Sequence, residues 1–179
     1  SGNYDVDIFV KFNYKKYKDK DLSRELRKIL GNLKKKTLHG SRDYFQINQG
    51  DISFEIVPVL DVKNYKQALN VTDISPLHSE FVKKHSNKKI QDEIRIAKQF
   101  LIANDLYGAE SYIRGFSGYL TELLIINYKT LQNMLKNASK WPDSVVIDIK
   151  KHYKNPEDAL GRINWAKQGP LLMIDPVQK

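Results

Sequence analysis

Tyr4-Asp5-Val6-Asp7-Ile8-Phe9-Val10 is the stretch around which the chain is organised. Its apolar and acidic residues alternate as in a β-strand, which places Asp5 and Asp7 side by side on the same face. Like charges this close repel each other, and a cation bound between them relieves the repulsion. Mg²⁺ suits such a position because it prefers oxygen ligands.

A third carboxylate lies on another predicted strand. In Asp51-Ile52-Ser53-Phe54-Glu55-Ile56-Val57-Pro58, Glu55 is the only charged residue inside the apolar part of the run. Burial of an unpaired carboxylate is costly, so this position is unusual for a glutamate. Together with Asp5 and Asp7 it would complete a two-metal site for phosphoryl transfer. The alternative is that the aspartates only form a solvated end of a strand.

Composition favours a polyanionic partner. The chain has 179 residues, a net charge of +9 and 41% hydrophobic residues. Aromatic side chains interleaved with lysines and arginines can stack on bases and contact phosphates, although a solvated lysine-rich surface would have the same composition. The absence of cysteine excludes disulfides and thiolate chemistry and fits a cytoplasmic protein. No apolar run approaches the ~18 residues of a membrane span.

The order of predicted elements divides the chain in two. Strands dominate the first third and helices dominate from about Ser75 to Ser139, so a boundary is expected near residues 62 to 74. Pro58 predicts that its strand reaches a sheet edge. The predicted helices are Asp21–Leu33, Lys88–Asn104, Leu120–Tyr128 and Leu131–Ala138, and the predicted strands after the first are Ser41–Asn48, Ile52–Leu60, Val145–Ile149 and Leu171–Pro176.

Four segments of the chain carry polar groups that allow two interpretations each. The basic segment Tyr14–Lys18 could contact RNA or form a solvated turn, and His78 is either a surface residue or part of a site. Lys98 stands at the edge of an apolar stripe, where its ammonium either extends to solvent or meets a triphosphate. Ser117 and its flanking glycines could receive a phosphate or simply cap a helix.

Six blocks in order resemble a known family, the archaeal (class I) CCA-adding enzymes. These are tRNA nucleotidyltransferases of the polymerase-β-like superfamily, and the resemblance extends over nearly the whole chain. The blocks are Asp5-Val6-Asp7-Ile8-Phe9-Val10, Phe54-Glu55-Ile56-Val57-Pro58, Ser75-Pro76-Leu77-His78, Lys98-Gln99-Phe100-Leu101, Tyr107-Gly108-Ala109-Glu110 and Arg114-Gly115-Phe116-Ser117-Gly118-Tyr119-Leu120.

The resemblance implies an α+β fold, with a polymerase-β-like nucleotidyltransferase palm at residues 1–62, a linker at 63–74 and a mainly helical central domain at 75–179. It also implies template-independent addition of CCA to the tRNA 3′ end from CTP and ATP, with release of pyrophosphate, in an enzyme that can form a homodimer. The family has a Gly-Ser motif upstream of its aspartate strand. Ser1-Gly2 lies too close to Asp5 to be that motif, so we expect an incomplete palm, truncation after Lys179 and no activity of this chain alone.

The resemblance assigns roles residue by residue. By position, Asp5, Asp7 and Glu55 match the catalytic carboxylates that hold two Mg²⁺ ions, although many members of the superfamily have aspartate in place of Glu55. The residues that match nucleotide contacts are His78, Lys98 and Tyr107, and further candidates for contact with RNA or phosphate are Arg114 and Ser117.

Two alternative functions stay open at this point. A related transferase, such as a poly(A) polymerase or an oligoadenylate synthetase, would use ATP only. A basic RNA-binding module without chemistry would need neither the aspartates nor Mg²⁺.

Overall fold

The computed structural model describes residues 4–109, 113, 115–161 and 170–178. The chain folds into two compact units, Ser1–Leu77 and His78–Lys179. Helices and strands both contribute, which confirms the predicted α+β class. The limits of the predicted palm, linker and central domain stay a prediction. No helix of the described residues is both long and apolar enough to span a membrane.

The first unit is built on a four-stranded sheet with the strand order β1-β4-β3-β2. β1 pairs with β4 in parallel, and the other two pairings are antiparallel. The hairpin between β3 and β4 turns at Gly50, whose φ of 60° is readily adopted by glycine. The strands are β1 (Tyr4–Asn13), β2 (Lys36–Leu38), β3 (Tyr44–Gln49) and β4 (Ile52–Asp61).

Two helices follow β1. α1 (Tyr14–Tyr17) is a single helical turn capped by Asn13. The sequence predicted either a solvated turn or an RNA contact for this segment. α2 (Leu22–Leu30) is capped by Asp21 and ends at Gly31, so it is shorter than the predicted helix. Leu22 and Leu26 are buried, but Ile29 and Leu33 are 67% and 57% exposed. The predicted helix Asp21–Leu33 was therefore wrong at its C-terminal end, because α2 stops at Leu30 and Leu33 lies beyond the helix.

The core of the first unit lies between α2 and one face of the sheet. Alternation along β1 and β4 sends every second side chain to this face, which leaves the opposite face to the carboxylates. The buried members of the cluster are Phe12, Leu22, Leu26, Phe45, Ile56, Leu60 and Val62.

Pro58 does not mark an edge strand, because β4 lies between β1 and β3. The last pair between β3 and β4 is Phe45 with Ile56, so Pro58 lies two residues beyond the β3 ladder. Its missing N–H is therefore not needed there. The Pro58 carbonyl accepts a hydrogen bond of 2.9 Å from the Arg42 guanidinium instead.

A buried ion pair fixes the segment after β4. Asp73 is fully buried, and its carboxylate accepts hydrogen bonds from Arg42 and from the backbone N–H groups of Leu60, Leu69 and Asn70. Burial alone would raise the pKa of Asp73. The bonds from Arg42 and the backbone outweigh burial and hold this pKa below its usual value.

The second unit is mainly helical. The division between the two units falls in the first turn of α3. Two short strands pair in parallel, one before and one after the fifth helix of the unit. The helices are α3 (Ser75–His85), α4 (Lys88–Ala103), α5 (Gly118–Tyr128), α6 (Leu131–Ala138) and α7 (Pro156–Leu160), and the strands are β5 (Val145–Ile147) and β6 (Leu171–Met173).

α5 is the centre of the second unit. Its residues from Leu123 to Ile126 are all buried, so the helix is covered on every side rather than on one stripe. α4 packs against it through the predicted stripe of Ile90, Ile94, Ala97 and Leu101, all of which are buried. The first turn of α5 is thereby held on a rigid element.

Candidate active site

The carboxylates of the first unit lie on one face of its sheet. In the parallel register, Asp7 is opposite Glu55 and Asp5 is opposite Ser53. Paired residues on neighbouring strands project to the same side, and residues two apart on one strand do as well. The structure therefore brings Asp5, Asp7 and Glu55 together as neighbours, on the face away from the core.

The electrostatics of this face agree with carboxylates that lie close together. Burial raises the pKa of Glu55, and the negative charges of Asp7 and Asp5 raise it further. The pKa of Tyr44, on β3, is raised by burial and then by Glu55 and Asp7. Asp5 and Asp7 themselves are exposed. A cation bound at this face would relieve the repulsion between the carboxylates.

The donor set fits a hard cation. Carboxylate oxygens are the ligands that Mg²⁺ prefers. The Ser53 hydroxyl, opposite Asp5, is buried and has no hydrogen-bond partner among the described residues. A cavity of about 240 Å³ next to it is lined by Asp5, Gln46 and Asn48, among others. Within the described part of the chain, no three acidic or imidazole side chains are placed to hold a metal ion as they stand.

A second group of polar side chains meets the first turn of α5. A Cβ built on Gly118 would lie 2.8 Å from the Tyr107 hydroxyl and 3.8 Å from Lys98 Nζ. Glycine is therefore needed at this position to admit the tyrosine. Lys98 Nζ also donates a 2.6 Å hydrogen bond to Glu122, one turn further along α5. Lys98 thus neither extends freely to solvent nor stands alone: it is 29% exposed and paired.

His78 reaches the same turn of α5 from α3. Its imidazole stacks on the ring of Tyr119 with centroids 3.9 Å apart. Its Nε2 is 2.8 Å from a carboxylate oxygen of Asp175. The structure therefore gathers His78, Lys98 and Tyr107 around two consecutive residues, Gly118 and Tyr119.

Ser117 has a structural role that accounts for its position. Its hydroxyl accepts a hydrogen bond from the backbone N–H of Leu120, as the N-cap of α5. A single β-bridge between Tyr107 and Phe116 closes the loop before it. Arg114, the other candidate for contact with phosphate, lies outside the described residues.

Sequence reasoning missed three members of this site: Tyr119, Glu122 and Asp175. Tyr119 belongs to the block Arg114–Leu120, but nothing in the sequence marks its ring as a partner of His78. Glu122 lies five positions after Ser117, and nothing in this local sequence indicates that its partner is Lys98, 24 positions earlier in the chain. Asp175 lies 97 positions from His78, so only the fold could join them.

Comparison with known proteins agrees with this architecture. Residues 92–179 match a family model described as tRNA nucleotidyltransferase, second domain. The chain also resembles a chain of the solved E. coli MS115-1 CdnC:HORMA-deltaN complex, with a TM-score of 0.55 and 15% identity over 99% of this chain and 62% of that one. The latter likeness concerns the fold alone. Residues 92–179 are thus similar to the second domain of tRNA nucleotidyltransferases.

Full-chain similarity is found to one kind of tRNA nucleotidyltransferase, the CCA-adding enzymes. The chain is 43% identical to the CCA-adding enzyme of Nanoarchaeum equitans over 178 residues, covering 98% of this chain and 45% of that protein. It is 35% identical to the CCA-adding enzyme of Sulfurisphaera tokodaii, again over 98% of this chain and 41% of that protein. The chain therefore spans less than half the length of these curated relatives. These matches confirm the resemblance to the archaeal CCA-adding enzymes.

Proposed function

We propose that the protein adds C, C and A to the 3′ end of tRNA from CTP and ATP, without a nucleic-acid template, and releases pyrophosphate. The observation that supports this most directly is the pairing of Asp7 with Glu55, beside Asp5, on the face of a sheet away from its core. The similarity to archaeal CCA-adding enzymes over 98% of the chain supports this reaction.

We infer that Asp5, Asp7 and Glu55 are the catalytic carboxylates and hold two Mg²⁺ ions. When bound, such ions lower the pKa of an attacking hydroxyl and neutralise the charge of the leaving phosphate groups. The chain's own contribution is to hold three carboxylates on a rigid sheet at fixed register. Burial raises the pKa of Glu55 and the charges of Asp7 and Asp5 raise it further, so a bound cation would stabilise the ionised carboxylates.

We infer that His78, Lys98 and Tyr107 contact the incoming nucleotide. The Lys98 ammonium supplies positive charge for a triphosphate, and its bond to Glu122 fixes where the ammonium stands. The Tyr107 hydroxyl, held against Gly118, can position a phosphate or sugar oxygen. Pairing with Glu122 also means that Lys98 offers less net charge than a free lysine would.

The proposal also covers the domain limits and the oligomeric state. We assign residues 1–62 to a polymerase-β-like palm, 63–74 to a linker and 75–179 to the central domain, in an enzyme that can form a homodimer. The net charge of +9 supports tRNA as the polyanionic partner.

An addition assay tests the proposal. The full-length protein is offered tRNA lacking its CCA end, Mg²⁺, and labelled CTP, ATP or both. Addition of two C residues and then one A is the expected result. Tailing with ATP only would indicate a poly(A) polymerase or an oligoadenylate synthetase instead. Tight tRNA binding without Mg²⁺ and without incorporation would indicate a basic binding module.

A further inference from the structure

Asp175 is the centre of a small network in the second unit. One carboxylate oxygen lies 2.8 Å from His78 Nε2. The other accepts hydrogen bonds of 3.1 Å from the Tyr119 hydroxyl and of 3.1 Å from the Val177 backbone N–H. The rings of His78 and Tyr119 stack on each other. Two of the three groups that meet Asp175 therefore also contact each other. The imidazole of His78 is held on one face by the Tyr119 ring and along its edge by the Asp175 carboxylate.

The protonation state of the network follows from its bonds. Burial alone would raise the pKa of Asp175, but the bonds from His78, Val177 and Tyr119 lower it below its usual value, so the carboxylate is ionised at neutral pH. Burial and the charge of Asp175 raise the pKa of Tyr119, which keeps its hydroxyl a donor. An ionised carboxylate only accepts hydrogen bonds. His78 Nε2 must therefore carry the proton in this contact.

We propose that Asp175 and Tyr119 are positioning residues for His78, and that they hold its imidazole in the Nε2–H form so that Nδ1 is the nitrogen offered to the nucleotide. This inference rests on the proposed role of His78 in nucleotide binding. A carboxylate partner of this kind fixes both the tautomer and the orientation of an imidazole. A nucleotide then meets a ring that is already in place, which reduces the entropy lost on binding.

The alternative is a purely structural network that connects the segment after β6, which contains Asp175, to α3 and α5. The two roles differ in how Asp175 and His78 depend on each other. A positioning residue acts only through the imidazole, so its substitution has no further effect on nucleotide binding once the imidazole is gone. A structural residue would weaken the unit by the same amount with or without His78.

A double-mutant cycle on the full-length protein separates these roles. Nucleotide KM and kcat are measured for Asp175→Asn, His78→Ala and the double variant, with Asp143→Asn, an exposed aspartate, as the matched control. Asparagine keeps an acceptor for Tyr119 and Val177 but presents an amide donor to His78, which reverses the tautomer. Tyr119→Phe is a second variant that keeps the stacked ring and removes one hydrogen bond.

The expected result is an increase of about tenfold in nucleotide KM for Asp175→Asn, as loss of a hydrogen bond to a charged group predicts. The same substitution in the His78→Ala background should change KM less than about twofold, because the imidazole through which it acts is gone. The ¹⁵N shifts of His78 should move from the Nε2–H to the Nδ1–H pattern. Tyr119→Phe should change KM in the same direction by a smaller factor.

Two outcomes would overturn the inference. If Asp175→Asn leaves KM unchanged, or raises it equally in both backgrounds, Asp175 does not act through His78. If His78→Ala itself leaves nucleotide KM unchanged, the role of His78 fails and the inference with it. The CCA-addition assay reports separately whether the proposed function stands.

Discussion

Glu55 stands at a position where stability and function oppose each other. It is paired across the strands with Asp7 and lies near Asp5, so the folded chain without a cation holds three carboxylates on one face. Like charges directly opposite each other destabilise a sheet by up to about 1 kcal/mol. A residue kept at such a position against its own stability is typical of a functional site.

Glu55→Gln should therefore stabilise the chain in the absence of Mg²⁺. The expected rise in Tm at pH 7 is up to about 2–4 °C, the shift that about 1 kcal/mol gives in a chain of this size. The folded-state pKa of Glu55 is raised because folding destabilises its ionised form. The loss of folding stability therefore exists only at pH values where the carboxylate is ionised. The gain should disappear as the pH falls below the usual glutamate value of 4.5.

Thermal unfolding of both proteins at several pH values, with Asp19→Asn as a control for loss of one negative charge, measures this directly. A fall in Tm on Glu55→Gln at pH 7 would show that the repulsion is already relieved by other means.

Lys98 provides a test of the nucleotide site at the level of one side chain. Lys98→Ala should raise the KM for CTP and ATP by about tenfold, because a charge-assisted contact is lost, and should raise the KM for tRNA much less. Lys89→Ala, at an exposed position of the same helix, is the matched control. Equal increases for nucleotide and tRNA would assign Lys98 a structural role through Glu122.

At the level of elements, the start of α5 organises the second unit. Ser117 caps the helix, Gly118 admits the Tyr107 hydroxyl, and Tyr119 stacks on His78. Two side chains from other elements, Tyr107 and His78, thus depend on the geometry of one helical turn.

Gly118→Ala should disturb this turn without unfolding it. Alanine favours a helix over glycine by about 1 kcal/mol, so the substitution should not lower Tm. The new Cβ would lie 2.8 Å from the Tyr107 hydroxyl, which must move. We expect nucleotide KM to rise by about tenfold, since small displacements of positioning groups are costly. Gly40→Ala, where the nearest atom is 3.5 Å from the new Cβ, is the control, and equal kinetics for the two variants would contradict the prediction.

The elements differ in how far the sequence predicted them. The strand around Asp5 and Asp7, the β3–β4 hairpin and α4 follow from periodicity, because each buries one regular face. β2 was missed because Lys36–Leu38 is short and begins in a lysine run. Pro58 led to a wrong prediction of an edge strand. A proline only requires that its own position lack a hydrogen-bond acceptor for an N–H, and this holds in the middle of the sheet because β4 extends past the end of β3. The contacts of His78 and Lys98 join residues far apart in the sequence, so local patterns could not reveal them.

At the scale of the whole molecule, Arg42 and Asp73 hold the end of the first unit to its sheet. They lie 31 positions apart, and Asp73 is completely buried. Removing one partner leaves the other charge buried without compensation, which typically costs about 3–5 kcal/mol. This pair is hydrogen-bonded to the backbone of β4 at Pro58 and Leu60 and acts on stability.

Asp73→Asn should destabilise the protein by about 3 kcal/mol at pH 7. The folded-state pKa of Asp73 is lowered, so its contribution is present above the usual aspartate value of 3.8 and is lost as the pH falls through the lower folded-state value. Urea unfolding at several pH values, compared with the exposed Asp61→Asn, measures both effects. Equal stabilities of the two variants at pH 7 would contradict the assignment.

The central claim is that Asp5, Asp7 and Glu55 form a catalytic metal site, and Asp7→Asn tests it most directly. The rate of CMP incorporation into tRNA lacking its CCA end is measured for the full-length protein, for Asp7→Asn and for Asp19→Asn, an exposed aspartate off the site. We predict a loss of about a thousandfold for Asp7→Asn, equivalent to about 4 kcal/mol, with Tm unchanged or slightly higher. Near-normal incorporation by Asp7→Asn would show that the aspartates are only a solvated part of the strand.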